Sequence, residues 1–280
     1  MRPSHALPSI PAAPAAIDTP SPNGAAVGAD AATLAYSVRA RLANLYGYTA
    51  GATHLFASPL GPYFHRGHSG YVPRFVFFGP NTSEASWRVA FLAGLDHRDT
   101  RASDALLAVI EDLGRNVEDA HALDLTFFPV VNSAGFFLGA APRPLGSLHW
   151  GRGEAPELDL LEKDARLRAY HGFVRVESTT AESEVLTIRV HAPGDSAHVA
   201  PDVELISSDE TNPFPVRFEN GRSTAGGPLS IADDLPFGPF ELTLRVPAAW
   251  PDDIYQEAVR SILHRFIRRY RAFQAYGQHL

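Results

Sequence analysis

The sequence predicts an α/β fold in which a mixed, largely parallel sheet is flanked by helices. Short apolar runs alternate with amphipathic segments along most of the chain. Two of these runs, residues 88–93 (RVAFLA) and 125–131 (LTFFPVV), enclose residues 103–113, whose apolar side chains repeat at helical spacing. A strand, a helix and a second strand in this order predict that the two strands are parallel. A long helical pattern at residues 252–275, introduced by a proline, closes the chain.

The remaining elements follow in chain order. A first helix is predicted at residues 32–46, where Leu34, Val38, Leu42 and Leu45 share one face and glycines follow. Short runs rich in β-branched and aromatic residues predict further strands, and one more amphipathic segment predicts a helix. These strands are residues 74–78, 172–176, 185–191 and 240–246, and the helix is residues 157–170. The segment 193–239 is rich in turn-forming residues and is predicted to be loops.

The first 30 residues differ in composition from the rest of the chain. Residues 1–30 are rich in Ala, Pro, Ser and Gly and carry few large side chains. Such a segment buries too little apolar surface to offset the entropy of ordering, so a flexible N-terminal arm is expected. Because the chain is 45% hydrophobic, residues 31–280 are expected to form one large domain around a substantial core.

Composition and charge exclude several classes of function. The chain has no cysteine, which excludes disulfides, thiolate metal sites and cysteine nucleophiles. A formal net charge of -7 argues against a nucleic-acid partner, because that affinity depends on clustered Lys and Arg. No apolar run approaches the roughly 20 residues that span a bilayer. No membrane partner is therefore expected, and the expected location is the cytoplasm.

Three polar residues follow directly on predicted strands: His97, Asn132 and Glu177. In an open α/β sheet, binding sites form in the crevice outside the carboxyl ends of the strands. The sequence therefore predicts a site that these three residues share.

The order and spacing of two motifs around these residues resemble the zinc carboxypeptidase superfamily. The first is GLDHRDT (residues 94–100), at a strand end where the family has Gly-x-His-Gly-Asp-Glu. The second is PVVNSAGF (residues 129–136), which is close to the family's Pro-x-x-Asn-Pro-x-Gly-Phe. The likeness is greatest to the branch of succinylglutamate desuccinylase and aspartoacylase. It runs from about residue 74 to the C-terminus and implies a carboxypeptidase-like domain.

The resemblance also assigns the family's metal and catalytic positions to residues of this chain. His97 matches the first zinc ligand, and Thr100 replaces the glutamate that is the second. Glu177, in FVRVEST, stands at the position of the final histidine ligand. The family's general base is a glutamate, and Arg245, in LTLRVP, takes its place. His97 and Glu177 are therefore the candidate metal ligands, and no residue is assigned as catalytic.

The family's substrate-binding positions correspond to Arg143, Arg152 and Asn132. An arginine fork suits a carboxylate well, so the resemblance implies a small carboxylate-bearing ligand or a peptide. The alternatives are ordinary surface positions for the two arginines and a turn hydrogen bond for Asn132.

Arg245 changes the chemistry that the site can perform. A guanidinium stays protonated, so it cannot act as a general base, and it repels a divalent cation at short range. It attracts a carboxylate instead, and Arg245 is predicted to pair with Glu177 or Asp99. No cofactor is expected, although zinc stays open through a rearranged ligand set of His97 with Asp99 and Glu177 or His149.

Two further sequence features are weaker candidates for function. His65 and His68 have a short, metal-like spacing, but two histidines in a polar loop are more often solvated. The basic residues of the run 264–271 (HRFIRRYR) alternate with apolar residues at helical spacing, which indicates a solvated helix face rather than a polyanion site.

Two functions from different classes follow. The first is a non-catalytic, carboxypeptidase-like pseudoenzyme that binds a ligand or regulates a partner. The second is a zinc-dependent hydrolase, a metallocarboxypeptidase or an N-acyl amino acid amidohydrolase, with a rearranged ligand set. Thr100, Glu177 and Arg245 favour the first.

Overall fold

A computed structural model of the chain describes residues 27–65, 67–138, 144–145, 153, 155–179, 184–192, 213–220 and 239–277. The main feature of the fold is an eight-stranded sheet with the strand order β1-β4-β6-β5-β7-β10-β8-β9. Its strands are β1 (Leu55–Ala57), β4 (Phe75–Phe78), β5 (Trp87–Leu92), β6 (Leu123–Phe128), β7 (Gly172–Thr179), β8 (Leu186–His191), β9 (Val216–Asn220) and β10 (Phe240–Pro247). Strands β2 (Leu60–His65) and β3 (His68–Val72) form a separate antiparallel hairpin.

The sheet is mixed, and its central strands are parallel. β5 is parallel to both of its neighbours, β6 and β7, and β10 is parallel to β7. β8 joins β10 in the antiparallel sense and pairs with β9 in parallel, whereas β4 and β1 add antiparallel strands at the other edge. Helix α2 (Thr100–Arg115) lies in the crossover between β5 and β6 that parallel pairing requires. The predicted fold class and the predicted parallel unit are both confirmed.

Helices pack on both faces of the sheet. Helices α1 (Val27–Thr49), α2 and α5 (Asp252–Gly277) share one apolar core with alternate residues of the central strands. Helix α4 (Pro156–Arg168), the short helix α3 (Ser133–Leu138) and the hairpin form a second core on the opposite face. Within the part of the chain that the structure describes, no helix is both long enough and apolar enough to cross a membrane.

The carboxylate of Asp104 connects the three helices of the first core. Asp104 lies on α2 and is 3% exposed. It accepts hydrogen bonds from Ser37 Oγ on α1 at 3.3 Å and from Gln256 Nε2 on α5 at 2.6 Å, and Arg41 Nη1 lies 3.1 Å away. A buried carboxylate with this many donors fixes how the helices lie against one another.

Several boundaries and elements differ from the sequence-based expectation. Helix α1 begins at Val27, inside the segment 1–30 that was expected to be an arm, and residues 1–26 lie outside the described part. Strands β1 and β9, the hairpin, a 3-10 turn at Val117–Ala120 and helix α3 were not predicted. These elements are short, and β9 lies at an edge where polar residues alternate with apolar ones, so they give a weak apolar signal. His65 and His68 end β2 and begin β3, where they face each other across the hairpin instead of lying in a loop.

Candidate functional site

A cleft of about 780 Å³ opens at the carboxyl ends of the central parallel strands. The loop that follows β5, the ends of β7 and β10 and the start of α2 form its walls. Four arginines and three carboxylates contribute to the lining: Arg98, Arg101, Arg175, Arg245, Asp96, Asp99 and Glu177. The cleft is therefore highly charged, and it lies where ligands bind in open α/β sheets.

Arg245 and Glu177 form an ion pair at the centre of this cleft. The two residues are direct neighbours in the parallel register of β10 and β7. Side chains at matched positions of adjacent strands project from the same face, and Arg245 Nε donates to Glu177 Oε1 at 2.7 Å. Their side chains remain 33% and 26% exposed. The structure thus realises the first of the two pairings that the sequence predicted for Arg245.

Arg175, two residues before Glu177 on the same face of β7, was not singled out from the sequence. It is only 5% exposed, although it lines the cleft. Its Nη2 lies 3.6 Å from Glu177 Oε2, and its Nη1 lies 3.9 Å from Glu241 Oε1. Its Nε is buried without a hydrogen-bond partner. Arg175 and Glu177 stand two residues apart in the strand, and this spacing places both charges on one face. The spacing is therefore a signal in the sequence that could have identified Arg175.

Asp99, the other predicted partner of Arg245, is used differently. It is the N-cap of α2, and its Oδ1 accepts from the Ala102 amide at 3.2 Å. Ser178 donates its amide to Asp99 Oδ2 at 2.6 Å and its hydroxyl to Oδ1 at 2.7 Å. Burial raises the pKa of Asp99, and the hydrogen bonds from Ser178 and Ala102 oppose that rise. Because both oxygens are engaged, Asp99 ties the start of α2 to the end of β7.

His97 packs against helix α3 and is not among the described residues that line the cleft. An added Cβ on Gly135 of α3 would lie 2.8 Å from His97 Cβ, which shows how closely the two approach. His97 Nδ1 is buried without a hydrogen-bond partner, and Asp96 Oδ1 lies 3.7 Å from it. Thr100 is 7% exposed in the first turn of α2.

Asn132 lies between β6 and α3 and is 2% exposed. Its Oδ1 accepts from the Gly135 amide at 3.0 Å, and its Nδ2 donates to Leu95 O at 3.4 Å. These bonds place the amide in the turn that begins α3, the alternative that the sequence left beside substrate binding. Arg143, Arg152 and His149 lie outside the described residues.

The described residues do not form a zinc site. No three or more of their His, Asp and Glu side chains come together as metal ligands. Glu177 directs Oε1 at Arg245 and Oε2 towards Arg175, and both oxygens of Asp99 are held by Ser178. A divalent cation at Glu177 would meet two guanidinium groups, which repel it. Neither the set of His97 with Glu177 nor its extension by Asp99 therefore matches the needs of zinc.

Comparison with known proteins gives matches in structure alone. No protein-family model matches the sequence, and no curated protein matches it. A metallo-carboxypeptidase from Burkholderia cenocepacia superposes with a TM-score of 0.65 at 14% identity, over 82% of this chain and 68% of that one. Carboxypeptidase A from Helicoverpa armigera superposes with a TM-score of 0.60 at 14% identity, over 84% and 72%. A metallo-carboxypeptidase from Pseudomonas aeruginosa, solved with (2-guanidinoethylmercapto)succinic acid, gives 0.58 at 14% identity, over 82% and 68%.

Proposed function

We propose that this chain, which has the fold of the metallocarboxypeptidases, is a non-catalytic binding protein. Its cleft binds a small carboxylate-bearing molecule or a peptide and does not hydrolyse it. The observation that carries the proposal is the 2.7 Å bond between Arg245 Nε and Glu177 Oε1. By the resemblance to zinc carboxypeptidases, these residues stand where the general base and the last zinc ligand would be.

The chemistry of the pair supports a binding role over a hydrolytic one. A general base must accept a proton from water, and a guanidinium cannot, because it is already protonated across the physiological range. A catalytic zinc needs three protein ligands and an open position for water. Here a fixed guanidinium contacts one candidate ligand, and Thr100 offers a neutral hydroxyl at another. At these positions the cleft therefore lacks the groups that activate water.

The charge of the cleft supports a carboxylate as the ligand. Four of its seven charged side chains are arginines. Guanidinium groups match carboxylates in geometry as well as charge. The Pseudomonas metallo-carboxypeptidase was solved with a derivative of succinic acid, which carries two carboxylates. Arg143 and Arg152, at the positions that the resemblance gives to the substrate grip, remain candidates for a second contact.

The proposal is tested by measuring zinc per chain after purification, together with hydrolysis of N-benzoyl dipeptides and N-acetyl amino acids. We expect zinc well below one ion per chain and no turnover. The matched variant carries Thr100→Glu, Glu177→His and Arg245→Glu, which restore the ligands and the base that the resemblance assigns. With His97 this variant should take up zinc, and adding His97→Ala should abolish the uptake.

Two results would count against the proposal. Wild-type protein that holds one zinc per chain and hydrolyses a substrate, with both lost in His97→Ala, would establish the alternative, a zinc-dependent hydrolase with a rearranged ligand set. A restored variant that folds, as judged by circular dichroism, but takes up no zinc would mean that these three positions do not explain the loss of the metal.

A further inference from the structure

We propose that the ligand's carboxylate binds to Arg175 and Arg245 on the floor of the cleft. We name Arg175, Glu177 and Arg245 the Arg175 subsite. The inference rests on the proposed function and deepens it, because it identifies the cations that recognise the ligand. These cations differ from Arg143 and Arg152, which the sequence resemblance put forward.

Arg175 is incompletely hydrogen-bonded. Its two nearest carboxylate oxygens lie at 3.6 and 3.9 Å, beyond the 2.7–2.9 Å of a charge-assisted hydrogen bond. Its Nε has no hydrogen-bond partner, and the residue is only 5% exposed. Arg168, whose Nε is also buried without a partner, differs in its carboxylate contact, because its Nη2 lies 2.6 and 2.7 Å from the two oxygens of Asp124. A buried charge without close acceptors is costly, and a ligand that supplies them would remove this cost.

Arg175 also borders open space. It lines the cleft together with Arg245 and Glu177, so an acceptor that enters the cleft can reach it. The partly buried Arg74 and Arg168 pair closely with Asp164 and Asp124, whereas Arg175 borders a volume of about 780 Å³. A volume of this size holds a ligand of small-molecule dimensions.

The two guanidiniums of the subsite share one carboxylate of the cleft lining. Glu177 has Oε1 at 2.7 Å from Arg245 and Oε2 at 3.6 Å from Arg175. Glu241, which is not among the described lining residues, lies 3.9 Å from Arg175 and offsets part of its charge. One incoming carboxylate would give each guanidinium its own close acceptor within the cleft.

The test is calorimetric titration of the wild-type protein and two matched variants with succinate. Arg175→Gln removes the proposed cation. Arg115→Gln is the control, because Arg115 is 68% exposed, pairs with Asp112 at 3.2 Å and is not among the described residues that line the cleft. We expect Arg175→Gln to weaken succinate binding about tenfold or more, Arg115→Gln to leave it within about twofold, and Arg175→Lys to restore part of the loss.

Titrations with succinamide and with phosphate test whether binding needs a negative charge and whether it prefers a carboxylate. Succinamide, which has no charge, should not bind, and phosphate should bind more weakly than succinate. If Arg175→Gln does not fold, the wild-type protein labelled with 15N-arginine gives a second measurement: succinate should shift the Nε resonance of Arg175 and leave that of Arg115 in place.

The outcomes distinguish the subsite from the proposed function. Equal succinate affinity in wild type and Arg175→Gln would overturn the subsite and leave a non-catalytic carboxylate-binding protein. Phosphate binding above succinate, or no succinate binding by the wild-type protein at millimolar concentration, would also overturn it. Turnover of a substrate by the wild-type protein would refute the proposed function, whereas dependence of succinate binding on Arg175 would still establish the subsite.

Discussion

Replacing Glu177 by glutamine should destabilise the protein more than replacing Arg245 by methionine, although both changes remove the same ion pair, whose atoms lie 2.7 Å apart. The reason is the second guanidinium. Glu177→Gln takes the shared carboxylate from both Arg245 and the 5% exposed Arg175. Arg245→Met removes a partly exposed cation and leaves Glu177 beside Arg175.

The size of each effect follows from distance and exposure. At 2.7 Å and an effective dielectric of 20, the Coulomb energy of Arg245 with Glu177 is about 6 kcal/mol. Both side chains keep a quarter to a third of their surface exposed, so water screens most of this energy, and we expect a coupling of about 1–2 kcal/mol. Leaving Arg175 buried without its nearest carboxylate raises the cost of Glu177→Gln to about 3 kcal/mol. Arg245→Met should cost about 1 kcal/mol.

The assay is urea unfolding of the wild-type protein, the two single variants and the double variant at one pH and ionic strength. Equal slopes of unfolding free energy against urea keep the four values comparable. The reasoning would be refuted if Glu177→Gln cost no more than Arg245→Met, because Arg175 would then not depend on Glu177. A coupling of zero would show that the short contact contributes nothing to folding.

Three further predictions concern the scaffold around the cleft. Burial and nearby Arg88 lower the pKa of His171 from 6.5 to about 4 in the folded state. The free energy of unfolding should therefore be highest above pH 6.5 and fall by about 1–2 kcal/mol as the pH drops towards 4. Urea unfolding at several pH values should show a smaller fall in His171→Asn. Asp104→Ala should cost about 3–5 kcal/mol in the same assay, because it leaves a cation of α1 and donors of α1 and α5 without their buried acceptor. Gly135→Ala should destabilise the protein by about 1–3 kcal/mol and lower its melting temperature, because the added Cβ would lie 2.6 Å from an amide oxygen. Gly47→Ala, with nothing within 4 Å in α1, should raise the melting temperature slightly.

Each of these expectations has a result that contradicts it. If the free energy of unfolding depends on pH in the same way in wild type and His171→Asn, His171 is not the group that causes the loss of stability. An Asp104→Ala variant as stable as Gly47→Ala would mean that the three helices do not depend on that carboxylate. Equal melting temperatures for the two glycine variants would mean that α3 can move away from the loop that carries His97.

The elements that the sequence predicted well have a pattern long enough to fix their type. Helix α2 carries a clear apolar stripe, and β5 and β6 consist mostly of apolar residues, with every residue of β6 buried, as expected of strands covered on both faces. The sequence patterns did not predict strands β1 and β9 or the hairpin. Their stability comes from pairing and packing with residues that are distant in sequence, and a local pattern does not contain that information. Tyr63 illustrates this: it is buried in the hairpin by contacts with a distant part of the chain, including a 2.7 Å hydrogen bond to Ser133 Oγ.

The site was predictable where two strands fix the geometry and not where loops do. Glu177 and Arg245 could be paired from sequence because the resemblance assigns both to one site and their charges are opposite, and the parallel register of β7 and β10 holds them side by side. Asp99 could equally have met Arg245 on charge alone, but the N-terminus of α2 offers it a backbone donor, and Ser178 supplies two more bonds. Arg175 was missed because an arginine within a strand is usually assigned to solvent, and only the tertiary structure shows that it is buried.

The identities at positions 177 and 245 make sense only as a pair, because the register of β7 and β10 holds them side by side. A glutamate at both positions would bring two carboxylates together, a situation that a bound cation or a shared proton must relieve. A histidine at 177 beside Arg245 would leave the guanidinium without an anion. Glutamate at 177 with arginine at 245 is self-sufficient, since each neutralises the other without any added ion. Such a pair joins the ends of β7 and β10 without an added ion, and Arg175 contributes a further cation to the lining of the cleft. The register that holds Glu177 beside Arg245 is therefore the structural basis on which we propose an anionic ligand.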